Sequence, residues 1–504
     1  MEETRQADLA SARQTPGNRP DRQPSYRLPC IYRKMKLAPK FSSDYRMVNA
    51  IRTLAIICLM FAASSAWSFT VSGTTYTTNG SQSDVQAACN AAPDNGTVTV
   101  VIPNGTYSWT GTLTITKALT LAGASSTGVK INNNLASGAM ISATAGTNGH
   151  INIYWLNIVQ VADDSGGKGF ALVADRSQPT NYTVLVHDCT FNSGSIFTYT
   201  VSCQDNGIIF WNDTFIGDGP NNPYAVGGLT LTCAKYGYTS SWNTPDTYGT
   251  EDVSGLGNIY LENCTFYDGA GADVDDNARM VARYNTFQAA SLWSHGQETA
   301  PYGARAFEIY NNTFLYPTSG TGPSGNTYPM ATICWWGGRG GAGVIFNNAM
   351  DLIPGGKDAV SLTVYSINRA TGSLPCQTAY PAARQTGQGW SASSNATYGN
   401  PVVPQDGTGA VTEGVYIWGN TGSATTDPGF VGLDQYTPDT CGNGELVTNF
   451  LIEGRDYFVG TAKPNYSPYQ YPHPLHTAFA AVTGGSPTPT PNAPSAPQNL
   501  RVVN

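Results

Sequence analysis

From about residue 184 to residue 350 the chain runs in short stretches of alternating apolar and polar positions that superpose on one another. Aligned on a large apolar anchor, they centre on Phe191, Phe215, Phe266, Phe287, Phe314 and Met350. Five positions before the anchors stand Val186, Phe210, Leu261, Ala282, Ile309 and Ile345, and seven before stand Val184, Ile208, Ile259, Met280, Phe307 and Gly343. Residues two apart on a strand share a face, so these columns point inward and the positions between them point outward. Two before the anchors stand Cys189, Asp213, Cys264, Asn285, Asn312 and Asn348, a small polar column whose amides can hydrogen-bond along a stack. The anchors recur about every 20–27 residues, with a longer excursion between Phe215 and Phe266. A repeat of this length made of period-two strands predicts an all-β fold. It is a single-stranded right-handed parallel β-helix, a solenoid in which each coil lies on the last.

The ends of the chain depart from this pattern. Ser83-Asp84-Val85-Gln86 fits a capping box, and Val85, Ala88, Cys89 and Ala92 fall on one helical face, predicting a short N-terminal capping helix. Such a helix would cover strand edges that otherwise invite aggregation. Thr97 to Ile102 and Leu113 to Leu121 read as strands on either side of a turn. Residues 1–46 are basic and unpatterned, an unstructured extension or a mis-assigned start, with Met35 or Met47 as the alternative initiator. In residues 47–66, Arg52 leads into the apolar run Leu54 to Ala63, followed by the small residues Ser64-Ser65-Ala66. That run is too short to span a membrane and reads as a signal peptide. The β-helix domain is expected over residues 67–374, and a loop-rich C-terminal part packed on it over 375–480. A Pro/Thr-rich linker with the opening of a fibronectin type III-like module is expected over 481–504. The protein is therefore expected to be secreted or held at the cell surface, as a monomer, with no stable membrane span after signal cleavage.

Charged residues make up 12% of the chain, about half the usual share. The net charge of −8 argues against a nucleic-acid partner, which would need a basic footprint. Of ten cysteines, Cys30 and Cys58 precede residue 67. The remaining eight permit disulfides in an exported chain, Cys376 with Cys441 for example, and no CxxC pair points to zinc.

Several motifs go beyond the repeat. They are the opening helix followed by Val100-Val101-Ile102-Pro103-Asn104-Gly105-Thr106-Tyr107, the Asn-Thr-Phe repeats, Asp275-Asp276-Asn277-Ala278-Arg279, Asp456-Tyr457-Phe458 and Tyr469-Gln470-Tyr471-Pro472-His473-Pro474-Leu475. In these the chain resembles, over about residues 80–476, the pectin lyase-like superfamily of secreted bacterial β-helix proteins. The resemblance implies the fold and a polysaccharide partner. It does not choose a reaction, since the same scaffold carries lyases, hydrolases, epimerases and non-catalytic adhesins.

Ionisable residues are densest around Asp273, Asp275, Asp276, Arg279, His295, Glu298 and Arg305. Asp275 follows Phe266 at nearly the distance at which His295 follows Phe287, which places the two on adjacent coils. In a polysaccharide lyase, Asp273, Asp275 and Asp276 would hold Ca²⁺ against a substrate uronate, and Arg279 or Arg305 would remove the C5 proton. In an inverting glycoside hydrolase, two carboxylates flank the scissile bond. Asp275-Asp276 with His295-Gly296 faintly resembles the polygalacturonase motifs, although the spacing departs and the flanking Asn-Thr-Asp and Arg-Ile-Lys motifs are absent. The plainer reading makes Asp275-Asp276-Asn277 a turn. Trp242 in the long excursion, and Trp335-Trp336 ahead of Arg339, are candidates for substrate binding, with aromatics packed on the coil as the alternative. Four positions before the anchors, His187, Glu262 and Arg283 read as surface residues, the last two as an exposed ion pair, and Glu308 as solvated. The leading expectation is an extracellular polysaccharide-active protein, a calcium-assisted uronate lyase ahead of an inverting hydrolase. The rival is a non-catalytic carbohydrate-binding or adhesive solenoid.

Overall fold

The columns stack in the register that the alignment predicts. The computed structural model describes residues 68–135, 137–161, 170–175, 181–193, 201–217, 231–234, 252–275, 278–294, 303–364, 386–391, 410–435 and 446–477. The signal segment 47–66, the linker 481–504, Trp242, Asp276, His295, Cys376 and Cys441 lie outside the described residues. In successive parallel strands Phe191 pairs with Phe215, then Phe266, Phe287, Phe314 and Met350. The phenylalanine rings form one stacked column, with centroids 5.4, 4.6, 4.7 and 4.8 Å apart.

Each coil contributes a strand to each of three sheets, so the fold is the right-handed parallel β-helix. Among the described residues the first sheet has 13 strands, the second nine and the third ten. The first includes Val184–His187, Ile208–Trp211, Ile259–Glu262, Arg279–Arg283, Ala306–Tyr310 and Ala342–Phe346. The anchors lie on the second, in Thr190–Asn192 and its successors. The third includes Leu231–Ala234, Gly271–Asp275, Ser291–Ser294, Trp336–Arg339, Val360–Val364 and Val431–Gln435. The columns five and seven before the anchors are buried in one continuous apolar core.

The corner between the first and second sheets is a single residue in the left-handed region. Asp188, Asn212, Asn263, Tyr284, Asn311 and Asn347 hold it with φ between 53° and 59°. Asn and Asp reach this conformation more cheaply than other non-glycine residues. Immediately after it comes the small polar column, which forms the ladder expected. The Oδ1 atoms of Asn285, Asn312, Asn348 and Asn420 accept from the backbone N–H of Cys264, Asn285, Asn312 and Asn348 at 2.8–3.0 Å. Their Nδ2 groups donate to the carbonyls of Leu261, Ala282, Ile309 and Ile345 at 2.9–3.0 Å.

The N-terminal helix spans Gln82–Ala91 and is capped by Ser81, whose side chain accepts from Asp84 N, so the cap sits ahead of the expected Ser83. Val85, Ala88 and Cys89 are buried against the first coil. The stretch read as one strand from Leu113 to Leu121 is two, Leu113–Ile115 in the third sheet and Thr120–Gly123 in the first. The solenoid also continues past residue 374. Val415–Trp418 and Tyr457–Val459 extend the first sheet, and Val431–Gln435 extends the third. Cys89, Cys189, Cys203, Cys264 and Cys334 are buried free thiols. Among the described residues no helix is long and apolar enough to cross a membrane.

One rung departs from the amide pattern. Asp213 Oδ1 accepts from Cys189 N at 2.7 Å, as an asparagine would, but its buried Oδ2 has no partner. Burial pushes the carboxyl well above its ordinary value of 3.8, because a charge there would have no water around it. As a neutral acid, Asp213 can donate as Asn285 does. A group whose folded pKa is raised contributes stability that is complete below the unfolded value and is lost as pH rises through the folded one. Asp213→Asn should therefore stabilise the protein at neutral pH by about 1–3 kcal/mol, with the gain vanishing below about pH 4. Chemical denaturation of both proteins across that pH range measures the difference.

Candidate functional site

Two outer faces bring together ionisable side chains from several coils. On the first sheet the chain returns over its own coils. Residues 463–477 run back from the C-terminal coils toward the N-terminal ones. Tyr466 meets Phe346, Tyr469 meets Tyr260, and His476 stacks on Trp211 with centroids 4.1 Å apart. Beneath this strap, Glu262 and Arg283 form an ion pair with both side chains fully buried, not the exposed pair expected. Arg283 Nε donates to Glu262 Oε1 at 2.7 Å, and its Nη atoms donate to the carbonyls of Tyr469 and Gln470 at 2.7 and 2.6 Å. His473 N and His476 Nε2 meet Glu262 Oε2 at 3.2 and 3.0 Å. Glu308, expected in solvent, is buried and accepts from Tyr466 OH at 2.7 Å. His187, expected at the surface, is buried between Tyr154 and Trp211. These charges hold the strap down on the sheet.

The outward face of the third sheet differs. One column runs Asp273, Trp293, Gly337, Ser361, Gly432, each paired with the next. Two residues on, Asp275 leaves the same face as Asp273, and on later coils Arg339, Thr363 and Asp434 pair in one column. Asp273 and Asp275 are two residues apart on one strand, and Val274 between them is buried in the core. Both carboxylates therefore leave the same face, about 7 Å apart at the backbone. Arg339 lies two residues beyond Gly337 on its strand, two coils along from the strand of Asp273 and Asp275. Asp273 and Arg339 are buried at the base of this face, whereas Asp275 and Trp293 are partly exposed. Val274 pairs with Ser294. His295 is the next residue after Ser294 and lies outside the described residues.

The other expected site residues lie elsewhere. Arg279 opens a first-sheet strand, mostly buried, with its backbone N–H donating to Asn206 Oδ1 at 3.1 Å. Arg305 is fully buried and grips Glu413 with two bonds, Nη1 to Oε2 at 2.8 Å and Nη2 to Oε1 at 3.1 Å. A guanidinium held in that fork is a structural tie, so Arg305 is not available as a proton acceptor. Trp335 and Trp336 are not a sugar platform, because both are fully buried in the core. Trp336 pairs with the inward Leu292 and packs on Phe307, while Trp335 Nε1 donates to Asp351 O at 2.7 Å. Trp293, which belongs to none of the motifs singled out in the sequence, is the tryptophan on the outer face. Its signal is the alternation in Ser291-Leu292-Trp293-Ser294, where Leu292 points inward.

The donor set tests the calcium expectation. Among the described residues no group of three or more His, Cys, Asp or Glu side chains is arranged to hold a metal ion. Asp273 and Asp275 are the two described members of the expected trio, and Ca²⁺ takes six to eight oxygens, so substrate, water or residues outside the described set would supply the rest.

No protein-family model matches the sequence, and no curated protein matches it. Solved structures similar to this chain include a pectin methylesterase from Aspergillus niger, at 12% identity and a TM-score of 0.29, covering 73% of this chain and 92% of that one. A second is a mutant form of the PL6 family alginate lyase AlyGC, at 11% identity and a TM-score of 0.31, covering 80% of this chain and 57% of that one. A third is ORF18 of Geobacillus virus E2, at 13% identity and a TM-score of 0.26, over 56% of this chain. This chain spans 62% of the length of that viral protein.

Two outcomes follow from this geometry. Arg305→Ala should destabilise the fold by about 3–5 kcal/mol, because it removes both bonds of a buried ion pair, and the Arg305→Ala/Glu413→Ala double variant should lose less than the sum of the singles. Denaturant unfolding of the four proteins gives that coupling. On the other face, burial lowers the pKa of His476 from 6.5 to about 4 against the pull of Glu262, with His473, Arg283 and His187 also opposing its charge. A depressed folded value means that the neutral ring stabilises the docked strap above pH 6.5 and that this stability drains away as pH falls toward 4. Hydrogen exchange over residues 466–476, corrected for intrinsic rates, should show protection falling across that window.

Proposed function

We propose that the protein acts on an extracellular uronate polysaccharide at the outer face of its third sheet, as a calcium-assisted lyase. The observation that carries this reading is that Asp273 and Asp275 leave one outer face that also bears Arg339. A protein of net charge −8 needs a local cation to accept a polyanion, and this face has both an arginine and carboxylates suited to a bridging metal. Asp273 and Asp275, with Asp276, would hold a Ca²⁺ ion whose charge neutralises the substrate carboxylate. That neutralisation would make the C5 proton more acidic; a base would remove it while the C4–O bond breaks, a C4=C5 double bond forms and the departing oxygen takes up a proton from water. With Arg305 tied to Glu413 and Arg279 mostly buried on the first sheet, we assign the base to His295. A neutral imidazole is available for this near pH 7, whereas an arginine is not.

The charges tied up beneath the strap and at Arg305 favour a second reading, a carbohydrate-binding solenoid without catalysis, because few described ionisable groups remain on an outer face. One experiment separates the readings. Purified protein is offered pectate, alginate and neutral glycans with and without EDTA, following unsaturated-uronate absorbance and reducing ends. The lyase gives a calcium-dependent absorbance rise, which Asp275→Ala and His295→Ala should each reduce by about 100-fold or more. Reducing ends without that absorbance mean hydrolysis, and binding without either product means the non-catalytic solenoid. Full activity in both variants sinks the assignment of this site.

A further inference from the structure

We propose that Trp155 and the corner residues beside it, Asp188 and Asn212, form a second carbohydrate site, which stacks a neutral pyranose ring at the corner between the first and second sheets. It lies apart from the third-sheet face and does not rest on the uronate reading.

Trp155 holds the same corner position as Asp188. Tyr154, the residue before it, pairs with His187, and Asn157, two residues after it, pairs with Thr190. Its φ is 60°, in the left-handed region that the later corners fill mostly with Asp or Asn. A bulky side chain is an outlier there and carries a backbone cost that asparagine largely avoids. Packing does not account for the tryptophan. It joins none of the apolar clusters, and its ring contact among the described residues is edge-on to Tyr154 at 5.0 Å. The side chain is partly exposed, and its indole N–H has no partner among the described residues.

The other aromatic residue at this corner shows what such a ring can hold. Tyr284, four coils along with φ of 59°, carries the ring of Tyr471 stacked on it at 3.8 Å. Tyr471 OH donates to Oδ1 of Asn263, the corner residue of the adjoining coil, at 2.6 Å. The strap thus supplies a flat ring with a hydroxyl on its edge. At Trp155 no described ring takes that place, and the adjoining corner again offers an acceptor, Asp188.

A pyranose matches this arrangement, being apolar on its faces and hydroxylated at its edges. Asp188 is one strand spacing away, about 4.8 Å at the backbone, and its side chain is 30% exposed. Its Oδ2 meets His187 Nδ1 at 2.7 Å and its Oδ1 accepts from Asn212 Nδ2, which leaves each oxygen a lone pair for a sugar hydroxyl. Asn212, on the following coil, is exposed. Beside this corner Asn157, Thr190 and Thr214 form one partly exposed column whose side chains bond to no other described residue. The negative charge of Asp188 attracts hydroxyl donors and repels a carboxylate, so the corner selects a neutral sugar over a uronate.

Calorimetric titration of the full chain with cello-, manno- and chito-hexaose and with hexagalacturonate tests this. The wild type should bind at least one neutral hexaose. Trp155→Ala should raise that Kd about tenfold, the loss of one stacking contact, and Trp155→Phe should recover part of the affinity. Trp155→Asn installs the residue used at later corners, so it should weaken binding as much while leaving Tm unchanged or raised. In an Asp275→Ala background, which disables the third-sheet face, Asp188→Asn should narrow the preference for neutral over acidic ligand about threefold. Failure of the wild type to bind any neutral hexaose overturns the site and leaves the uronate reading standing. An unchanged Kd in Trp155→Ala or Trp155→Asn overturns it too. A Trp155→Asn protein that melts well below the wild type, or does not fold, makes the indole a packing residue and overturns the proposal likewise. An unchanged preference in Asp188→Asn overturns the selection for neutral sugars.

Discussion

The asparagine ladder is the constraint on which the other contacts depend. At the later first-to-second corners the chain turns through one left-handed residue, and the amide of the next residue, Asn285, Asn312 or Asn348, ties its own coil to the coils on either side. A buried backbone corner without such partners would leave its N–H and carbonyl groups unsatisfied, at about 1–3 kcal/mol each. The ladder therefore fixes the spacing and the register of neighbouring coils together. In the second sheet each anchor follows its rung by two residues, so the anchors stack with the ladder, while the third sheet's register is set by its own pairing. That pairing sets Asp273 against Trp293 and Trp293 against Gly337.

The two outer faces show what becomes of side chains in those columns. On the first sheet, aromatic and charged residues are covered by residues 463–477, and Arg283 anchors this cover by donating to two strap carbonyls while paired with Glu262. Breaking such a pair strands a buried charge, so the strap, the pair and the sheet act as one unit. On the third sheet, Gly337 in the outward column gives Trp293 room to lie along the coil. The same solenoid geometry thus produces a sealed face and a face with a carboxylate pair, an indole and an arginine in fixed columns.

Much of this is legible in the chain because period-two alternation and a repeated anchor are local signals. The inward columns, the ladder at Asn285, Asn312 and Asn348, and the shared face of Asp273 and Asp275 all follow from counting residues within a coil. Asn420 is a further rung that counting misses, separated from Asn348 by a long insertion that hides the period. Cover supplied from far along the chain is not legible. Arg283 and Glu262 read as a surface pair because nothing within their own coils says that Tyr469 and Gln470 will close over them. Glu413 likewise reaches Arg305 from a coil more than a hundred residues later, turning a candidate base into a tie. Trp335 and Trp336 mislead for a different reason, since consecutive tryptophans at the start of a strand do not reveal which turns inward until the register with Leu292 is known.

The same arithmetic narrows what chemistry this molecule can carry. A chain with 12% charged residues has few ionisable side chains to spend on catalysis, and the structure commits several of them to holding itself together. Arg283, Glu262, Arg305 and Glu413 are paired, and Asp213 replaces an amide in the ladder. The third sheet's outer face keeps Asp273, Asp275 and Arg339 in adjacent columns. A carbohydrate is well matched to such a surface, because it is held by stacking and by many neutral hydrogen bonds and needs only one or two charges to orient an acidic sugar. A scarcity of charge, which taken alone would argue against an enzyme, is thus compatible with one whose substrate supplies its own hydroxyls and its own carboxylate.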